Sequence, residues 1–371
     1  MPCPLPSPAR SRSEDQKLTR AAPAITRAYT LVYTLGLLTM LTRVQLNLLG
    51  RRAYLSSVVS LATGSAQATI SLENNDDDNV EHALGTDFEV NRKYLTFSWW
   101  LLNRGWQDVM NRVEAAVRQA FGHLSPRDQL SFEAFAGLAG QVRTLVEQPS
   151  GRGAAANWLS CLLPQPDMED FVLRESGILG DSAASPDGGP PDGPLSPATT
   201  TSLRRLLDET ADLIESPTFS QVLTLVLDAG FSVLVDRKVA PEAFDLPPPP
   251  AEGNPELSRL RGSKTVLLPK ILSVLTRQAH AVGHGMPNEY LHEMEAVREL
   301  EAFAAVVYSS NWENEIRDDG PTAGAVDADA TAAPPEPSMA QSRVSGTESL
   351  VVVDPSQSSL ESAWERAVAP R

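Results

Sequence analysis

Between Leu95 and Phe121, eight apolar residues step along the chain by three and four: Leu95, Trp99, Leu102, Trp106, Val109, Val113, Val117 and Phe121. That spacing gathers them on one face of a helix and on no common face of a strand. Arg92, Lys93, Arg104, Asp108, Arg112 and Arg118 fall off the stripe. One amphipathic helix over 92–121 is therefore predicted, ended by Gly122 as a residue that accepts positive φ. A helix with such a stripe has to lay it against other elements.

The rest of the chain supplies more helices to pack on it. Residues 26–62 read as one long helix, whose first part, AYTLVYTLGLLTMLT from Ala28 to Thr42, holds fifteen residues without a charge. A membrane span takes about 20 apolar residues. Four of these fifteen are threonines and Arg43 follows at once, so the residues favour a buried core helix over a span. Ser125–Pro126 reads as the next helix start, with Ser125 as cap, Pro126 at the first position and Asp128 near the N-terminal dipole. Phe132, Phe135, Leu138, Val142 and Leu145 form its apolar face.

Two further helices are expected on either side of the Ser216–Pro217 junction. Another runs over 264–282 to Gly283, and a last one runs from Pro287 to about Ser309. No stretch alternates as strands do. The predicted fold is all-α, a long twisted bundle of six to seven helices over residues 25–312. Residues 1–24 read as disordered, as does the acidic tail 313–371, where Leu350–Val353 is a lone apolar knot. Mobile linkers are expected near 64–90, 176–200 and 240–262, from their Pro, Gly, Ser and Asp content.

Charge and motifs then exclude function classes. The net charge is −16, with no basic patch beyond Arg51–Arg52 and Arg204–Arg205, so nucleic acid is not an expected partner. Cys3 and Cys161 are too few for a disulfide framework and point to a reducing environment. His280 and His284 have the i, i+4 spacing of a ligand pair, but Gly283 and Gly285 are expected to end the helix between them. Gly262–Ser263–Lys264–Thr265 lacks the upstream glycine and the strand of a phosphate loop. Asp76–Asp78 lack the spacing and glycine turn of a calcium loop. No catalytic, metal or cofactor site is expected, and the chain is not read as an enzyme. Trp99 and Trp106 belong to the core stripe. Trp100, about 100° away from it, is expected to pack at the periphery against another helix.

Two segments carry a family resemblance: LTRVQLNLLGRRAYLSSVV, Leu41 to Val59, and YLTFSWWLLNRGW, Tyr94 to Trp106. Both resemble peroxin-3, the second in its fungal form. Leu207 to Asp236, with its Glu-Ser-Pro junction and Gly-Phe-Ser turn, and Leu268 to Trp312 are similar in pattern, so the resemblance spans about 25–312. It implies a helical bundle at the cytosolic face of the peroxisomal membrane. There it would dock peroxin-19, the carrier of membrane-protein cargo, by laying an amphipathic helix in an apolar groove at one end of the bundle. It further implies inheritance and pexophagy factors as possible partners; a generic helical scaffold for another partner is the alternative. The family's N-terminal anchor has no counterpart in residues 1–24. Its groove tryptophan falls at Lys17, so the start reads as truncated or misassembled and no partner-binding residue is carried over.

Overall fold

The computed structural model describes residues 12–67, 88–148, 156–177, 197–247 and 263–310. Its centre is α1, Arg12–Gln67, a 56-residue helix with Pro23 inside it. It starts within the stretch expected to be disordered and ends inside the expected 64–90 linker. Ile25, Ala28, Tyr29, Val32, Tyr33, Leu37, Met40, Leu41, Val44 and Leu48 are buried at successive helical steps. Burying a side chain of this size stabilises by roughly 1.5–3 kcal/mol. Ala28 to Thr42 thus packs inside protein, as the sequence favoured. By length and composition α1 and residues 217–244 also pass as membrane spans, but both bury more than half of their apolar window in the bundle. Alkaline carbonate is therefore expected to release the expressed chain into the supernatant. Retention in the pellet would mean that α1 leaves the bundle for lipid.

The helix predicted over 92–121 is divided. α2 covers 88–96, α3 is the single turn Ser98–Trp100, a π-helical stretch runs from Leu101 to Gly105, and α4 is Trp106–Phe121. A π-helix bonds i to i+5 and so takes more residues per turn. The stripe after it is as expected, with Val109, Val113, Val117 and Phe121 buried. Before it the register slips by one: Tyr94, Phe97, Leu101 and Gly105 face the core, while Leu95 and Leu102 are exposed. Trp99 and Trp106 are only half-buried. Gly122 caps α4 at φ −64°, without the positive φ expected of it.

Ser125 and Asp128 make a closed turn, not a helix start. The Ser125 N–H donates to Asp128 Oδ2 at 2.7 Å and the Asp128 N–H to the Ser125 carbonyl at 2.9 Å. β1, Gln129–Ser131, follows and pairs antiparallel with β2, Thr265–Leu267, with Leu130 opposite Val266. This short sheet, unforeseen because three residues are too few to show alternation, ties together the starts of two helices. α5, Phe132–Glu147, is capped by Ser131, whose Oγ accepts from the Ala134 N–H. α11, Leu268–His284, begins directly after β2.

Residues 156–177 add α6, Leu159–Leu162, a 3₁₀ turn at Pro166–Met168, and α7, Glu169–Glu175. α8, Pro197–Glu215, begins inside the expected 176–200 linker. It meets α9, Pro217–Ser232, at the expected Ser216–Pro217 junction, where the Ser216 Oγ accepts from the Phe219 N–H at 3.2 Å. α9 passes through a second π-helical stretch, Val233–Val239, into α10, Ala240–Phe244, so helix replaces the start of the loop expected over 240–262. The expected last helix is two, α12 Glu289–Glu295 and α13 Arg298–Ser309, the first capped by Asn288. The fold is all-α apart from the small sheet, with α4, α9, α11, α12 and α13 packed around α1. The tail 313–371 and the aspartates at 76–78 lie outside the described residues.

Candidate docking groove

Two features stand out, a buried polar cluster and an open groove. The cluster is built on Arg51, which occupies a core position of α1 one turn after Leu48 and is fully buried. Its Nη2 donates to both carboxylate oxygens of Glu209 on α8, at 2.7 and 2.8 Å. Its Nη1 donates to the carbonyls of Val307 and Ser310 at the end of α13, at 3.3 and 2.7 Å. A cation there meets the negative end of the helix dipole. Beside it, Gln45 Nε2 donates to the Tyr94 carbonyl at 3.0 Å, and the Tyr94 hydroxyl lies 2.6 Å from Thr210 Oγ1. Burial pushes the Tyr94 phenol well above its usual range. Arg51 is thus an internal tie, not part of a basic surface patch.

The groove lies between α4 and α8, with residues 157–169 along it, and encloses about 570 Å³. Leu163 and Leu207 are its buried apolar floor, while Leu159 and Ala211 stand half-open on facing walls. Two arginines edge it. Arg112 donates from Nη1 to the Asn157 carbonyl at 2.9 Å and sets its guanidinium 5.2 Å from the centre of the Trp158 ring. Arg204 bonds to Glu169 on α7 and to Asp208 one turn along α8. Partial burial raises the Glu169 carboxyl, opposed by the Arg204 charge.

The wall at 159–163 is held by α3 and the π-helical stretch after it. Trp100 Nε1 donates to the Ser160 carbonyl at 3.1 Å, which is the peripheral packing expected of it. Gly105 faces the Cys161 main chain so closely that a Cβ would enter its carbonyl oxygen. Trp99 lies edge-on to Phe171 of α7, with ring centres 6.3 Å apart. Nothing in 156–169 has a readable period, so this wall was not legible in the sequence.

Chemically the groove offers an apolar trough between charged edges, suited to one face of an amphipathic helix or to a few apolar side chains. His280 and His284 do share α11, which continues through His284, and both are exposed. Among the described residues no three His, Cys, Asp or Glu side chains gather as metal ligands.

The family model described as Peroxin-3 matches residues 20–310. The chain belongs to the peroxin-3 family. It is 38% identical over 307 residues to peroxisomal biogenesis factor 3 of Yarrowia lipolytica, covering 78% of this chain and 67% of that protein. Similarity extends to peroxisomal membrane protein PEX3 of Komagataella phaffii, 26% over 319 residues, covering 77% and 66%. It also reaches peroxisomal biogenesis factor 3 of Homo sapiens, 28% over 291 residues, covering 77% and 68%. The chain spans about two thirds of the length of these relatives. All four segments that resemble peroxin-3 in the sequence contribute to the buried cluster: Gln45 and Arg51, Tyr94, Glu209 and Thr210, and Val307 and Ser310.

Proposed function

We propose that this chain serves peroxisome biogenesis as a docking receptor. It acts at the cytosolic face of the peroxisomal membrane, binds the N-terminal amphipathic helix of peroxin-19, and so recruits membrane-protein cargo. The observation that carries this reading is peroxin-3 family membership over residues 20–310. The groove between α4 and α8 supports it, because its apolar floor and half-open walls suit a helix face. The reading concerns binding and assigns no catalytic step to any residue.

Titration of a fluorescently labelled peroxin-19 N-terminal peptide with the full chain, followed by anisotropy, tests it. Saturable one-to-one binding is expected. Leu159→Glu and Ala211→Glu put a carboxylate on each half-open wall, and each should weaken binding about tenfold or more by forcing a charge into an apolar contact. Far-UV circular dichroism should remain that of the parent chain. Binding untouched by both variants would place the helix on another surface of the bundle. No binding by the parent chain, with another helical peptide captured instead, would favour a scaffold for a different partner.

A further inference from the structure

The last part of α1 presents an unusual face. From Ala53 to Gln67 the helix contains no charged residue, although Tyr54, Val58 and Leu61 are 48%, 42% and 74% exposed. Leu55, on the opposite side, packs inward. A helix face turned to water normally carries charges, and apolar residues repeating along one face mark a docking surface. Tyr54, Val58 and Leu61 step by four and three, so they form one stripe.

The position of Ser310, the last described residue, suggests what covers this stripe. The Ser310 carbonyl accepts from Arg51 at 2.7 Å, so the end of α13 is pinned to α1 one turn before Tyr54. The sequence that follows is polar or small for most of its length; besides the short run Leu350–Val353, one segment has a helical pattern. Leu360, Ala363, Trp364, Ala367 and Val368 recur at helical spacing, with Glu361, Ser362, Glu365 and Arg366 between them. Ser358 and Glu361 have the Ser-x-x-Glu spacing of a capping box at its start. Forty-seven residues lie between Ser310 and Ser358. Random-coil scaling gives a tether of that length a reach of about 40 Å root-mean-square, against about 10 Å for the stripe itself, so covalent linkage gives a high effective concentration.

We propose that the 358–368 segment of the same chain docks on the Tyr54–Val58–Leu61 face as an amphipathic helix, with Trp364 as its central apolar anchor. The apolar run Leu350–Val353 is a poorer occupant, because four consecutive apolar residues have no single helical face. The chain directly after α1 is poorer too, since residues 73–82 carry five acidic side chains. The docking is intramolecular and independent of the peroxin-19 reading.

Hydrogen exchange on the full chain tests the inference through two single substitutions. Val58→Glu should make the amides of 358–368 exchange about tenfold faster. Trp364→Glu should do the same for 53–61, equally at low and high protein concentration. The overall melting midpoint should not move with Val58→Glu, since Val58 lies outside the core. Unchanged exchange at the opposite partner in either variant would overturn the proposal. Protection of 53–61 that appears only at high concentration would also overturn it, in favour of contact between two copies.

Discussion

Arg51→Met is expected to cost the fold about 3–5 kcal/mol, because it removes one partner of a buried ion pair and leaves the other behind. Glu209 loses donors to both of its oxygens, and the carbonyls of Val307 and Ser310 lose theirs. The expected readout is a fall in the melting midpoint of about 10 °C, given 2–4 °C per kcal/mol for a chain of this size. A double variant, Arg51→Met with Glu209→Leu, should recover a large part of that loss, since an apolar pair of similar volume avoids the desolvation of two charges. Additive losses from the two substitutions would show that the ion pair is not the coupling element.

Gly105→Ala carries the second large effect. The methyl group would run into the Cys161 carbonyl, and backbone on both sides can yield only if α6 moves away from the π-helical stretch. A loss of about 3 kcal/mol is expected from such overpacking. Peptide affinity should fall with it, because Leu159 and Leu163 flank the displaced residue. The control is Gly137→Ala on the exposed side of α5, where an added methyl meets nothing within 4 Å. That substitution should gain about 0.5–1 kcal/mol by restricting the unfolded chain and favouring helix. Equal effects at the two glycines in chemical denaturation would contradict the packing account.

These two residues also show where sequence reading stops. Long stripes on α1, α4, α5, α9 and α11 were legible because burial repeats over several turns. The slip of register before Gly105 was not, since a π-helical stretch changes the period for only five residues and Leu95, Trp99 and Leu102 fit the α-helical step equally well. Arg51 looked like half of a basic pair, although it sits in register with Val44, Leu48 and Leu55, and that register was the available signal. The groove was least visible of all. Its floor comes partly from α8, which was foreseen, and partly from Leu159 to Pro166, whose place is set by a glycine and two tryptophans far away in sequence.

The family resemblance gained meaning from the same geometry. Its segments are separated by tens of residues, yet they supply the atoms of one hydrogen-bonded cluster that joins α1, α2, α8 and α13. The cluster holds the bundle together, and the groove on the other side of α8 then has a firm floor in Leu207.

The most direct test is a hydrogen-exchange footprint of saturating peroxin-19 N-terminal peptide on the full chain. New protection at 157–166 and 204–211 is the expected result. Saturable peptide binding that leaves both segments unchanged would contradict the assignment of the groove, and absence of binding would contradict the docking role.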